Sequence, residues 1–147
     1  MAQSFSSLYV HVVYSTKDRV PLLTGDLLEK MHAYTGGTIN NTGCQCLTVG
    51  GVADHLHFLA RISRTLSMAD FVREVKASTS KWAKEFSPGF TWQSGYGAFS
   101  VGHRELPAVR QYIETQAEHH KKFSFQEEFL NILREHDLEW DDRYIWD

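Results

Sequence analysis

Cysteine is scarce in this chain: among 147 residues there are two, Cys44 and Cys46. They fall at alternate positions of a predicted strand, a placement that rarely meets disulfide geometry, so a disulfide framework is excluded and both read as small buried residues. Long apolar runs are also missing. The longest, Leu8 to Tyr14, is interrupted by His11 and falls far below the roughly 18 residues of a membrane-spanning helix. The opening Met1-Ala2-Gln3-Ser4-Phe5-Ser6-Ser7 has no basic start, apolar stretch or small-residue cleavage site, so secretion is not signalled and a cytoplasmic protein is expected. No excess of positive charge is present either. A formal charge of −3 excludes a uniformly basic nucleic-acid coat but says nothing about local patches. Internal repeats and linkers are absent, and the length suits one domain spanning residues 1–147 with a single core.

What is present is globular: 42% hydrophobic and 13% aromatic residues argue against general disorder. Leu8-Tyr9-Val10-His11-Val12-Val13-Tyr14 reads as a central strand, and a helix is expected from about Thr24, its far end weakened by Gly36-Gly37. Cys44 to Val49 and His55 to Ile62 read as a hairpin around Gly50-Gly51. The strongest helix signal starts at Ser67, an N-cap with Asp70 three residues on, and carries the stripe Met68, Phe71, Val72, Val75, Thr79, Trp82, Ala83 and Phe86. A last strand is expected across Phe90–Gln93 and Ala98–Val101. Helices should follow from Pro107 to His119 and from Phe125 to Glu135, and the acidic, aromatic tail Glu139 to Asp147 should dock on the body or on a partner. The order β-α-β-β-α-β, with additional C-terminal helices, gives an α+β ferredoxin-like sandwich with an antiparallel sheet.

Two spacings carry chemistry. In a strand, His55 and His57 share a face while Leu56 turns to the other layer, which makes half of a metal site. In a helix, Tyr112 and Gln116 share a face, presenting a phenol and an amide together. Each pattern also occurs without function, as half-buried strand histidines or as helix packing. Asp54 reads equally as a turn residue before the strand and as a carboxylate orienting a metal-bound imidazole. His11 reads as a satisfied core histidine able to approach the pair from a neighbouring strand. Two imidazoles and an amide oxygen suit zinc, manganese or nickel.

Asp54-His55-Leu56-His57-Phe58-Leu59 resembles the histidine-hydrophobe-histidine motif of the HUH endonuclease superfamily, and Arg110-Gln111-Tyr112-Ile113-Glu114-Thr115-Gln116 resembles the tyrosine helix of its single-tyrosine, IS200-like insertion-sequence transposases. Lys17-Asp18-Arg19, Ser78-Thr79-Ser80-Lys81-Trp82, Trp92 to Phe99, Glu118-His119-His120-Lys121-Lys122 and Tyr144-Ile145-Trp146-Asp147 are similar to family sequence in family order, from about Phe5 onward. The resemblance implies His55, His57 and Gln116 as metal ligands, Tyr112 as nucleophile and Mg²⁺ or Mn²⁺ as the divalent metal. It also implies single-stranded DNA with hairpin ends as substrate, a covalent 5′-phosphotyrosine intermediate, and a homodimer whose tyrosine helix can serve the partner's histidine pair. Such an enzyme would act in the cytoplasm of a bacterium or archaeon, at the nucleoid.

Phosphate contacts are expected from Lys17, Arg19, Arg73, Lys76, Ser80, Lys81 and Lys84, and base stacking from Trp92 or Tyr96. Rival readings are a non-mobile relative that binds hairpin DNA or processes genomic repeats, and a metal-dependent phosphoesterase acting on small molecules.

Overall fold

The structure, a computed structural model, describes residues 2–147. Its elements are β1 (Tyr9–Ser15), α1 (Asp26–Asn41), β2 (Gln45–Val52), β3 (His55–Arg61), α2 (Met68–Ala83), β4 (Gly97–Val101), α3 (Leu106–Glu114), α4 (Gln116–His119) and α5 (Phe125–Glu135). The strands form one sheet in the order β2-β3-β1-β4 with every neighbouring pair antiparallel. That is the expected ferredoxin-like order.

Strand alternation divides the sheet into two faces. Val10, Val12, Tyr14, Leu56, Phe58 and Ala60 point toward α1 and α2, where Met31, Ile39, Phe71, Val72 and Val75 close the main core. The other face is covered by the C-terminal helices. There α3 lays Ile113 on Leu59 and Val101, and α5 lays Phe125, Phe129, Ile132 and Leu133 against Val13 and Phe99. Trp140, Ile145 and Trp146 pack on this second cluster, so the tail docks on the body. The sheet is therefore the middle of three layers, and its histidines lie on the side closed by α3, α4 and α5.

The capped helices begin where the sequence places them. Ser67 Oγ accepts from Asp70 N at 3.1 Å to start α2, and Ser124 Oγ accepts from Glu127 N at 3.1 Å to start α5; each satisfies a backbone donor that the first helical turn leaves free. Gly36 and Gly37 lie inside α1, which continues to Asn41. The N-cap position of α1 falls on Gly25 and not on Thr24. Phe86 lies beyond the end of α2 and is largely exposed.

Three expectations need correction. Gly50 and Gly51 do not make the hairpin turn; β2 runs through them to Val52, and the chain reverses at Ala53-Asp54. The reason is steric, because a Cβ on Gly50 would collide with the carbonyl of Ile113, so the glycine is where α3 presses its backbone onto β2. The expected helix from Pro107 to His119 is interrupted at Thr115, whose backbone (φ −106°, ψ 25°) leaves the helical region. Its hydroxyl donates back to the Gln111 carbonyl at 2.8 Å, a local bond that competes with the helix ladder. Finally, Phe90–Gln93 is not a strand: only Trp92 bridges, to Thr16, and Phe90 and Trp92 are buried as core anchors.

Candidate active site

β3 delivers His55 and His57 to one face, both fully buried, with Leu56 in the opposite core. Three further elements reach them. From α4, Gln116 Oε1 lies 3.1 Å from His55 Nε2. From α5, Glu128 Oε1 lies 2.9 Å from His57 Nε2 and 3.4 Å from His55 Nε2. From α3, the Tyr112 hydroxyl donates a short hydrogen bond to the other oxygen, Glu128 Oε2. Gln116 Nε2 donates to that same oxygen at 3.0 Å. The ring of Tyr112 stands edge-on to His57 at a centroid separation of 5.8 Å, so within this chain the tyrosine helix meets its own histidine pair.

The surrounding partners orient the imidazoles. His55 Nδ1 is 2.6 Å from Asp54 Oδ1, and Asp54 lies in the turn between β2 and β3. His57 Nδ1 is 2.8 Å from His11 Nε2. His11 is thus drawn into the site from β1, hydrogen-bonded and 7% exposed. His120 Nε2 lies 3.0 Å from Gln116 Oε1 and 3.1 Å from Glu128 Oε1, and its Nδ1 is held by the Phe123 carbonyl at 2.7 Å.

Burial and charge set these groups apart. Burial disfavours protonation of His55, but hydrogen bonds to Asp54 and Glu128 outweigh it and raise its pKa to about 9. His57 has the same carboxylate but deeper burial, and it falls to about 4. Burial, reinforced by His57, lowers His11 to about 3. The Tyr112 phenol is pushed above its usual value by burial and by the Glu128 carboxylate. Burial works against ionising Glu128, yet bonds from His120, His55 and His57 hold it well below the usual carboxylate range. The site is a buried carboxylate ringed by donors.

The donor set fits a divalent cation. One ligand atom each from His55, His57 and Glu128 lies within 4.8 Å of the others, all three residues being buried. Gln116 Oε1 adds an oxygen to the same cluster. Access comes from a cleft of about 460 Å³ between β4, α3 and α5, whose lining includes Tyr112, Glu128, His119, His120, Phe99 and Asn131.

Of the residues expected to contact DNA, Arg73, Lys76, Ser80, Trp92 and Tyr96 line one groove beside α2, and Lys17, Arg19, Lys81 and Lys84 lie outside it. Lys17, Arg73, Lys81 and Lys84 are exposed, and Arg73 pairs with Asp70 at 2.9 Å. Ser80 is half-buried, with Arg73 and Tyr96, along a groove beside α2. Arg19 donates to the Trp146 carbonyl at 3.3 Å and lies over that indole. Two residues serve the interior. Lys76 Nζ donates to the carbonyls of Gln93, Ser94 and Gly95 at 2.5, 3.1 and 3.0 Å, and burial lowers its pKa to about 8. Trp92 is 5% exposed, tilted on Tyr14, with Nε1 donating to Thr79 Oγ1 at 3.0 Å. Its ring is a core component with no face free for a base.

Sequence reasoning missed Glu128 and His120. Glu128 did carry a signal: it sits three residues after Phe125 and four before Ile132, in the middle of the apolar stripe of α5. A lone carboxylate on a buried helix face needs a partner.

An antiparallel sheet presenting paired histidines to a helix-borne tyrosine is the architecture of single-tyrosine transposases. This chain belongs to the family described as "Transposase IS200 like", whose profile matches residues 4–116. It is 21% identical over 117 residues to the ISDra2 transposase TnpA of Deinococcus radiodurans, covering 74% of this chain and 84% of that protein. Among solved structures, a candidate transposase from Deinococcus radiodurans matches with a TM-score of 0.65 at 19% identity, over 79% of this chain and 95% of that one. A REP-associated tyrosine transposase bound to a REP hairpin matches with a TM-score of 0.58 at 13% identity, over 82% and 74%. These structures share the fold. Among the described residues, no helix is long and apolar enough to cross a membrane.

Proposed function

We propose that this transposase nicks and rejoins single-stranded DNA at hairpin-bearing element ends, with Tyr112 as nucleophile and His55, His57 and Gln116 holding a divalent metal, Mg²⁺ or Mn²⁺. The observation that carries this reading is the convergence of the tyrosine helix and the histidine strand in one buried pocket beside an open cleft. The metal supplies polarisation of the scissile phosphate and screens charge that grows on its oxygens.

Tyr112 attacks phosphorus in line. A bond forms between its phenolic oxygen and phosphorus, the bond from phosphorus to the 3′-oxygen breaks, and the proton lost by the phenol is matched by one gained at the departing 3′-hydroxyl. The phosphotyrosine retains the bond energy, so a 3′-hydroxyl of a second strand can reverse the step without an external energy source. Asp54 and His11 fix the two imidazoles from behind, each bonded to the ring nitrogen that faces away from Gln116 and Glu128. Exposed Lys17, Arg73, Lys81 and Lys84 supply phosphate contacts. The complete set within one chain supports cleavage in cis, inside the homodimer that the family resemblance implies.

The test is incubation with 3′-labelled hairpin DNA carrying a single-stranded flank, in Mg²⁺ or Mn²⁺. A protein-DNA adduct resistant to denaturant should form with the wild type and not with Tyr112→Phe. An adduct of equal yield with Tyr112→Phe would remove Tyr112 from its role.

A further inference from the structure

Glu128 lies outside residues 4–116, the segment that matches the family, yet it occupies the centre of the site. One of its oxygens faces both histidines and the other takes the Tyr112 hydroxyl. From this geometry we infer that Glu128 is the anionic protein ligand of the metal and, through its second oxygen, the group that positions the nucleophile. The inference rests on the reading of the pocket as a divalent-metal site.

Spacing supports it. Donors bound cis to one cation on bonds of about 2.1 Å stand about 3.0 to 3.4 Å apart. Glu128 Oε1 is 2.9 Å from His57 Nε2 and 3.4 Å from His55 Nε2, and Gln116 Oε1 is 3.1 Å from His55 Nε2. These are ligand-to-ligand edges, already set for a cation that replaces the protons shared between them.

Charge supports it too. Two imidazoles and an amide are neutral ligands, so without Glu128 a divalent cation would enter a buried pocket with no anionic ligand, the Asp54 carboxylate standing behind the His55 ring. A carboxylate 6% exposed is itself costly to bury unless cations face it. A carboxylate also moves the donor set toward the oxygen-rich surroundings that magnesium and manganese prefer, away from the nitrogen-rich set that suits zinc or nickel.

Position supports a link to the nucleophile. Because Glu128 Oε2 accepts from Tyr112, a metal held by Oε1 is tied to the phenol through one rigid carboxylate. His120, bonded to Glu128 Oε1, anchored on the Phe123 carbonyl and packed edge-on against the His55 ring, holds that carboxylate in place. Gly97 lets α5 come this close, since a Cβ there would stand 2.7 Å from the ring of Phe129.

The experiment measures Mn²⁺ binding by the full chain without DNA, through the loss of the free-ion electron paramagnetic resonance signal. Wild type should bind, and Glu128→Gln should bind at least about tenfold more weakly while unfolding at a similar temperature. If Glu128→Gln fails to fold, anomalous scattering from Mn²⁺ soaked into wild-type crystals decides, with an ion expected within bonding distance of Glu128 Oε1. Wild-type affinity retained by folded Glu128→Gln, no Mn²⁺ binding by wild type, or an ion bound away from Glu128 would each overturn the assignment. The DNA adduct separates this result from the proposed reaction. Adduct formation with Glu128 off the metal leaves the reaction standing, whereas a Glu128-dependent metal with no adduct leaves the ligand standing and removes the reaction.

Discussion

His11 Nε2 lies 2.8 Å from His57 Nδ1, across the β1-β3 ladder, with the two rings stacked at an interplanar angle of 23°. Both imidazoles are held neutral by burial. A neutral imidazole can donate or accept, so His11 can receive the Nδ1 proton of a metal-bound His57 or supply a proton when His57 Nε2 itself donates to Glu128. His11→Ala should weaken Mn²⁺ binding by about 10- to 100-fold, the range found when the outer partner of a ligating histidine is lost. Titration of the DNA-free protein checks it, with Asp54→Asn expected to act in the same direction on His55.

Gly50→Ala tests how Tyr112 is placed. The new methyl must displace the Ile113 carbonyl and with it α3. Adduct formation should fall at least about 100-fold, because small misplacement of a nucleophile is that costly. The α1-α2 core is on the other face of the sheet, so circular dichroism should still report folded protein.

Stability should depend on pH with opposite signs on two limbs. His57 and His11 have folded pKa values of about 4 and 3, below the ordinary 6.5, so the unfolded chain binds more protons and stability falls as pH drops from 6.5 toward 4. His55, raised to about 9, contributes stability that is full below 6.5 and is lost as pH rises from 6.5 to 9. Metal-free protein should therefore melt highest near pH 6.5. Saturating Mn²⁺ should flatten the alkaline limb, since the cation takes the place of the His55 proton; an unchanged limb in melting curves would contradict a metal bound at His55.

Lysines on α2 should separate by role. Lys76→Met removes the bridge to three carbonyls of the 93–95 segment and should cost about 1–3 kcal/mol of stability. Lys81→Ala and Lys84→Ala should leave the melting temperature nearly unchanged. Each should instead weaken hairpin-DNA binding and lower the slope of log affinity against log salt by about 1.

Assembly in cis predicts a result for mixed variants. Tyr112→Phe and His57→Ala each lack one half of the site, and co-refolded together they should form no adduct if each tyrosine serves its own histidines. Recovery of adduct in the mixture would show the halves exchanging between subunits.

Much of the fold was legible because local rules carried it. The β-branched and aromatic content of Leu8–Tyr14 named β1, the two-residue period of a strand assigned His55 and His57 to one face of β3, and Ser67 with Asp70 marked the start of α2. What escaped was set by contact between distant elements. Gly50-Gly51 read as a turn because a glycine pair has that local meaning, whereas Gly50 admits a helix backbone more than fifty residues further along the chain and Gly51 lies against His55 and Leu56 of β3. Trp92 and Lys76 read as surface groups because nothing nearby in sequence shows that Tyr14, Thr79 and the 93–95 carbonyls enclose them.

By itself the sequence determined the order of strands and helices along the chain, the pairing of His55 with His57 on one strand face and the closeness of Tyr112 and Gln116 along the chain, since a period of two residues and helix-forming patterns are properties of the local backbone. Tertiary structure alone decided that these halves meet, that His11 and His120 join them, and that the carboxylate of Glu128 lies between the histidines and the phenol. The reason is physical: a buried charge is stabilised by groups gathered from β1, β3, α3, α4 and α5, and their convergence depends on how helices seat on the sheet.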